Sequence, residues 1–218
     1  MSGPPTTGPA ARTAARAAAT LHAVQLADCP PQPWRNGGGT TRELLRWPRA
    51  AADATAEAPA GDAPWRVRVS VAEIARDGPF SPYPGVARWF AVLHGGGVRL
   101  VFGREAHTLA AGGPPLRFDG ADAPHGHLAA GPTLDLNLMT RAGAGEPHMQ
   151  RLHAGATIGG GHGPATAWRA VYAHTPLRVA TPAGLRLLPA GGLLWSDDAE
   201  GDAWRVVDDA LAYGMTLR

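Results

Sequence analysis

The sequence predicts an all-β fold, a sandwich or barrel of many short strands. Three observations carry that expectation. Several segments alternate polar and apolar side chains, as a strand with one buried face does. Glycine and proline, 29 and 21 residues of the chain, fall in nearly every interval between those segments. Helical patterning is weak: the Ala-rich stretch 10–19 has no apolar stripe, and the best helical candidate is the short run Ser70 to Arg76.

Taken in order, residues 1–20 hold Ala, Pro, Thr and Gly with two arginines and no apolar core, so they read as a disordered leader and not a secretory signal. The stretch 48–64, rich in Ala, Asp and Pro, reads as a surface loop. Residues 66–71 alternate, with Arg66, Arg68 and Ser70 on one face. Residues 88–93 and 98–102 are apolar runs separated by His94-Gly95-Gly96-Gly97, which predicts a hairpin across a glycine turn. Residues 134–139 alternate again, placing Asp135, Asn137 and Met139 on one face. Short strands are expected at 167–173, 176–180, 184–188, 192–196 and 203–207. The low-complexity stretch 141–147 reads as a seam. The expected units are therefore 21–141, an N-terminal barrel, and 142–218, a smaller C-terminal β half packed on it. No sequence repeat relates the two.

Composition excludes several functions. All 20 basic residues are arginine, which rules out lysine Schiff-base chemistry and Walker-type phosphate loops. The single cysteine, Cys29, allows no intrachain disulfide, so a reducing compartment is permitted and the cytoplasm is the default expectation. A net charge of +2 without a basic stripe argues against nucleic acid as a partner. No run reaches the ~18 apolar residues of a membrane span. There is no Gly-x-Ser-x-Gly nucleophile elbow.

The densest chemistry lies in Pro33-Trp34-Arg35-Asn36-Gly37-Gly38-Gly39-Thr40-Thr41-Arg42-Glu43. Flexible linkers carry glycine and serine without Trp or paired charges, so this segment reads as part of a site. Asp77-Gly78-Pro79-Phe80-Ser81-Pro82-Tyr83-Pro84-Gly85 is a stiff turn that could form a pocket rim. The polar faces of 66–71 and 134–139 either line a cavity or face solvent. If they line a cavity, Arg, Ser, Asp and Asn there must pair with each other or with a ligand, and an arginine with free donors suits a small carboxylate. His125-Gly126-His127 puts two imidazoles on one strand face, which opens a second reading as a metal-dependent enzyme. A third ligand is not evident nearby.

These motifs, in this order, resemble the HutD/Ves family: Trp34 to Glu43; Arg68-Val69-Ser70-Val71-Ala72; Asp77 to Ser81 with Pro84-Gly85 and Arg88; and Gly131-Pro132 leading into Asp135-Leu136-Asn137-Leu138-Met139-Thr140-Arg141. The resemblance covers roughly residues 24–141. This chain departs from the family pattern with Val67 for a Trp and Leu136 for a Phe; both positions stay apolar.

The resemblance implies an RmlC-like cupin, a bicupin with two β-barrel halves. It implies no metal, no cofactor and no firm enzymatic activity. One branch of the family is encoded with histidine-utilisation enzymes, where a regulatory or flux-limiting role has been suggested; another resembles stress-induced proteins. On this reading Arg68 would grip a small carboxylate, with Ser70, Asp135, Asn137, Asn36, Arg88 and Met139 around it and Trp34 and Phe80 as cover. Arg42 would pair with Glu43 behind the site, and Arg141 would support it. A homodimer through a barrel edge is compatible with such a fold.

Overall fold

The structure is a computed structural model that describes residues 20–48, 65–160, 166–197 and 203–218. The leader (save Thr20) and the loop expected over 48–64 (save Pro48) lie outside the described residues. In chain order the strands are β1 His22–Gln25, β2 Pro31–Pro33, β3 Gly39–Trp47, β4 Val67–Ile74, β5 Gly78–Pro79, β6 Val86–Gly95, β7 Val98–Phe102, β8 Glu105–Leu109, β9 Leu116–Asp119, β10 His125–Leu128 and β11 Thr133–Arg141. There follow β12 Pro147–Arg151, β13 Thr157–Ile158, β14 Trp168–Ala173, β15 Leu177–Thr181, β16 Gly184–Leu188, β17 Gly192–Ser196, β18 Trp204–Val206 and β19 Ala212–Leu217. Among the described residues, helix is confined to two single 3-10 turns, Leu26–Asp28 and Gly120–Asp122. The all-β expectation holds.

The strands form four sheets. Strands β2–β11 supply a six-stranded sheet (β2-β3-β4-β11-β6-β9) and a four-stranded one (β5-β10-β7-β8). The later strands supply a five-stranded sheet (β1-β17-β14-β19-β12) and another four-stranded one (β13-β18-β15-β16). Strand β1 crosses over to pair with β17, so residues 22–25 belong to a sheet of the C-terminal strands. Pairing follows one pattern twice. β6 pairs with β9 and β11 while β7 pairs with β8 and β10; β14 pairs with β17 and β19 while β15 pairs with β16 and β18.

Alternation decides which face meets which layer. Val67, Val69, Val71, Leu136 and Leu138 share a buried cluster with Trp168, Tyr172, Tyr213 and Met215, so one face of the six-stranded sheet packs on the five-stranded sheet. Each such side chain contributes about 1.5–3 kcal/mol by leaving water. The opposite face carries Ile74, Phe90 and Val92 onto Val98, Leu100 and Leu109 of the small sheet. Strand β4 is thus covered on both sides along most of its length, so that Ser70 is buried and Arg68 half-buried, while Glu73 near its end is exposed.

Two expectations fail. Residues 70–76 are not helical; β4 runs on through Ile74, because hydrogen bonding to both β3 and β11 outweighs a short local preference. The runs 88–93 and 98–102 are strands but not a hairpin, since β6 and β7 lie in different sheets. The glycines between them turn a corner. Gly95 and Gly97 have φ of +99° and +91°, and a Cβ on Gly95 would stand 2.3 Å from the Pro132 carbonyl oxygen. That close approach, and not a hairpin turn, is what the glycines serve.

Candidate functional site

The inner face of the six-stranded sheet opens into a cavity of about 600 Å³. Its floor is a cross-strand lattice. Met139 of β11 stands opposite Arg68 of β4 on one side and Arg88 of β6 on the other. Asn137 is opposite Ser70, and Asp135 is opposite Ala72. Trp34, Arg35 and Asn36 form one wall, and Pro79, Phe80, Ser81 and Tyr83 contribute the other. All nine residues named as ligand contacts from sequence, Trp34, Asn36, Arg68, Ser70, Phe80, Arg88, Asp135, Asn137 and Met139, line this one cavity.

Two β-bulges set the aim of the polar groups. One lies between Glu43 and Leu45 on β3. Residues 43 and 46 of a regular strand would point to opposite faces; the extra residue puts both on the side of Arg68. Glu43 Oε2 then accepts from Arg68 Nε at 2.6 Å and from Arg46 Nη2 at 2.9 Å. Burial pushes the Glu43 carboxyl up, but hydrogen bonds from Arg46 and Arg68 outweigh it and hold the group below its ordinary range. Arg68 Nη1 also approaches Met139 Sδ at 3.8 Å. The expected Arg42–Glu43 pair does not form. Arg42 sits opposite Val71, on the other face, and donates to the Cys29 carbonyl; adjacent strand residues cannot share a face.

The second bulge, between Leu134 and Asp135 against β6, precedes a polar chain. Arg88 Nη2 donates to Asn137 Oδ1 at 2.9 Å, and Asn137 Nδ2 donates to Asp135 Oδ1 at 2.5 Å. Arg88 is 6% exposed and Asp135 1%. Arg88 Nε and Asp135 Oδ2 have no hydrogen-bond partner. The Arg88 guanidinium lies 5.3, 5.7 and 5.1 Å from the rings of Phe80, Tyr83 and Phe118, near enough for cation–π attraction. Burial pulls Arg88 down to about 10, against the Asp135 charge. Burial pushes Asp135 up to about 8, against the Asn137 hydrogen bond and the Arg88 charge. Desolvation wins at both ends of the chain.

The glycine motif builds the Trp34 wall. Trp34 Nε1 donates to Thr41 Oγ1 at 2.8 Å, and the Asn36 side chain accepts from Gly38 N at 2.9 Å. Gly37 has φ +66°, and its carbonyl accepts from Arg76 Nη2 at 2.5 Å. Arg141 lies away from the cavity, 4.7 Å from the ring of Trp65, which packs with Met139. Gln32, Arg35, Thr41, Ser81 and Tyr83 also line the cavity. Arg35, Thr41, Ser81 and Tyr83 stood inside the two turn-rich motifs; Gln32 carried no signal.

His125 and His127 share β10, with ring centroids 4.5 Å apart, and neither lines the cavity. His127 Nδ1 is 3.2 Å from the Asp77 carboxylate. Among the described residues, no three His, Cys, Asp or Glu side chains are grouped to hold a metal ion. Nor is any helix there long and apolar enough to cross a membrane.

Comparison with known proteins places the chain. Protein Ves of Citrobacter koseri is 38% identical over 110 residues, 50% of this chain and 51% of that protein; the chain spans about half the length of the curated relatives it matches. A conserved protein of unknown function from Pseudomonas aeruginosa PAO1 superposes with a TM-score of 0.74 at 27% identity, over 91% of this chain and 98% of that one. HutD from Pseudomonas fluorescens SBW25 gives 0.71 at 24% identity, over 91% and 100%, a likeness of fold. Further solved structures at lower identity are cupin-like. The HutD family model matches residues 26–209, and the chain belongs to the HutD family.

Proposed function

We propose that the chain is a bicupin that binds a small carboxylate metabolite without a metal. Its role would be to sense or limit flux in histidine or other amino-acid catabolism. The repeated pairing order of β6–β11 and β14–β19 supports the bicupin assignment. One observation carries the ligand assignment. Arg68 and Arg88 flank Met139 in the floor of the same cavity, and Arg88 is a buried cation bonded to a neutral amide and not to a carboxylate. A buried guanidinium in that state is costly until an anion meets it. Membership of a family linked to histidine utilisation narrows the metabolite class.

The test is a thermal-shift screen against histidine, urocanate, formiminoglutamate, N-formylglutamate, glutamate and formate, with and without EDTA. A ligand of the native state raises Tm by mass action. The expected result is a shift for a carboxylate, indifferent to EDTA and lost in Arg68→Ala, which should cost ~2–5 kcal/mol of binding. No shift with any carboxylate would reject the reading.

A further inference from the structure

We propose that Asp135 serves the cavity as a protonated hydrogen-bond donor, so that the site binds a carboxylate while Asp135 Oδ2 carries a proton. This rests on the carboxylate reading and adds what the anion meets beside the arginines. It follows that the cavity prefers ligands presenting an acceptor oxygen to Oδ2.

Hydrogen-bond polarity along the Arg88–Asn137–Asp135 chain is fixed. A guanidinium can only donate, so Asn137 must turn Oδ1 to Arg88 and Nδ2 to Asp135, as it does. Asp135 Oδ1 is therefore an acceptor. Oδ2 is left buried with no partner, on a side chain that is 1% exposed and lines the cavity. Asn137 stands where a direct Arg88–Asp135 ion pair would form, so an ionised Asp135 would keep only one neutral donor. Such a buried charge is heavily penalised. A proton on Oδ2 removes the penalty and turns an orphaned acceptor into a donor that lacks only an acceptor.

The surrounding charges agree. From β6 comes Arg88; from β4 comes Arg68, whose partner Glu43 on β3 is engaged by both Arg68 and Arg46. Among the described residues, Tyr83 and Arg35 are the other titratable groups in the lining, and Asp135 is its only acid. With Asp135 neutral, the cavity keeps an uncancelled positive charge, the state an anion needs. With Asp135 ionised, that charge is cancelled before the ligand arrives. Burial favours the neutral form up to about pH 8, while Arg88, at about 10, stays cationic across that range.

The experiment titrates acetate, which is ionised throughout, into wild type and Asp135→Asn, with Kd read by NMR from about pH 6.5 to about pH 9. Wild type should bind with constant Kd below about pH 7.5 and weaken toward about tenfold per pH unit above about pH 8.5. Asp135→Asn keeps a donor at the same place. It should bind within about threefold of wild type at the low end and lose the pH dependence. A wild-type Kd that stays flat, or tightens as pH rises, overturns the proposal while leaving the carboxylate reading intact. So does a folded Asp135→Asn that no longer binds acetate. Absence of wild-type acetate binding at every pH overturns the proposal, while the thermal-shift screen of the larger carboxylates decides the carboxylate reading. If Asp135→Asn does not fold, the wild-type profile alone decides.

Discussion

Glu43 on β3 holds Arg68 on β4 by a 2.6 Å hydrogen bond from Nε to Oε2, although Glu43 is paired across the sheet with Ser70. The diagonal contact fixes the guanidinium plane, so the carboxylate orders the arginine before any ligand arrives. Preorganisation of this kind shows in affinity more than in stability.

Glu43→Gln should therefore weaken carboxylate binding about tenfold while lowering unfolding free energy by only ~1–2 kcal/mol, the scale of charged hydrogen bonds made neutral. Calorimetric titration and urea denaturation of the same variant separate the two effects. Equal binding by variant and wild type would show that Arg68 needs no support from Glu43.

Arg88→Met should behave in the opposite sense. Replacing a desolvated charge by an apolar side chain of similar length is often neutral or stabilising, and Phe80, Tyr83 and Phe118 already surround the site. The expected Tm is equal to wild type or higher, with ligand binding lost. A variant that unfolds would mean that the guanidinium is a structural strut.

Asp135 makes stability depend on pH with an unusual sign. Its folded pKa is raised from 3.8 to about 8 by burial, so the native state binds more protons than the unfolded chain between those values. Stability contributed by this group is then present below the unfolded pKa and lost as pH rises toward 8. Asp135→Asn should leave stability near pH 4 unchanged and raise it by a few kcal/mol near pH 8. Denaturant midpoints at the two pH values check this; a variant advantage greatest at low pH would contradict it.

The cavity floor was legible because strand alternation exposes it: Arg68 with Ser70, and Asp135 with Asn137 and Met139, sit two residues apart. Alternation could not say whether that face met solvent or another layer; only the covering sheet decides. The Arg42–Glu43 pairing fails on alternation itself, since neighbouring strand residues face opposite ways, whereas the Glu43–Arg46 pairing stays hidden because a bulge is invisible in a period-two pattern. Without the extra residue near Leu44, nothing in the sequence brings Glu43 and Arg46 to one side. The glycines at 95–97 misled for a related reason: a corner between sheets and a hairpin turn use the same residue type.

Gly39 tests whether the glycine motif shapes the wall or merely loosens it. A Cβ there would stand 2.1 Å from the Glu73 carbonyl oxygen and 3.2 Å from the Trp34 ring. Neither neighbour can easily retreat. Gly39 is paired with Ile74 in the sheet, Ala75 N donates to the Gly38 carbonyl at 2.8 Å, and Trp34 is tied to Thr41. At Gly38 the contact is instead with the Asn36 side chain, at 3.1 Å, a group that can swing aside. Gly39→Ala should thus cost about 3 kcal/mol or more, in the range of overpacked cores, and displace Trp34 from the cavity. Gly38→Ala should cost under about 1 kcal/mol. Chemical denaturation with tryptophan fluorescence reads both quantities, and equal effects of the two substitutions would mean that the motif needs flexibility and not close approach.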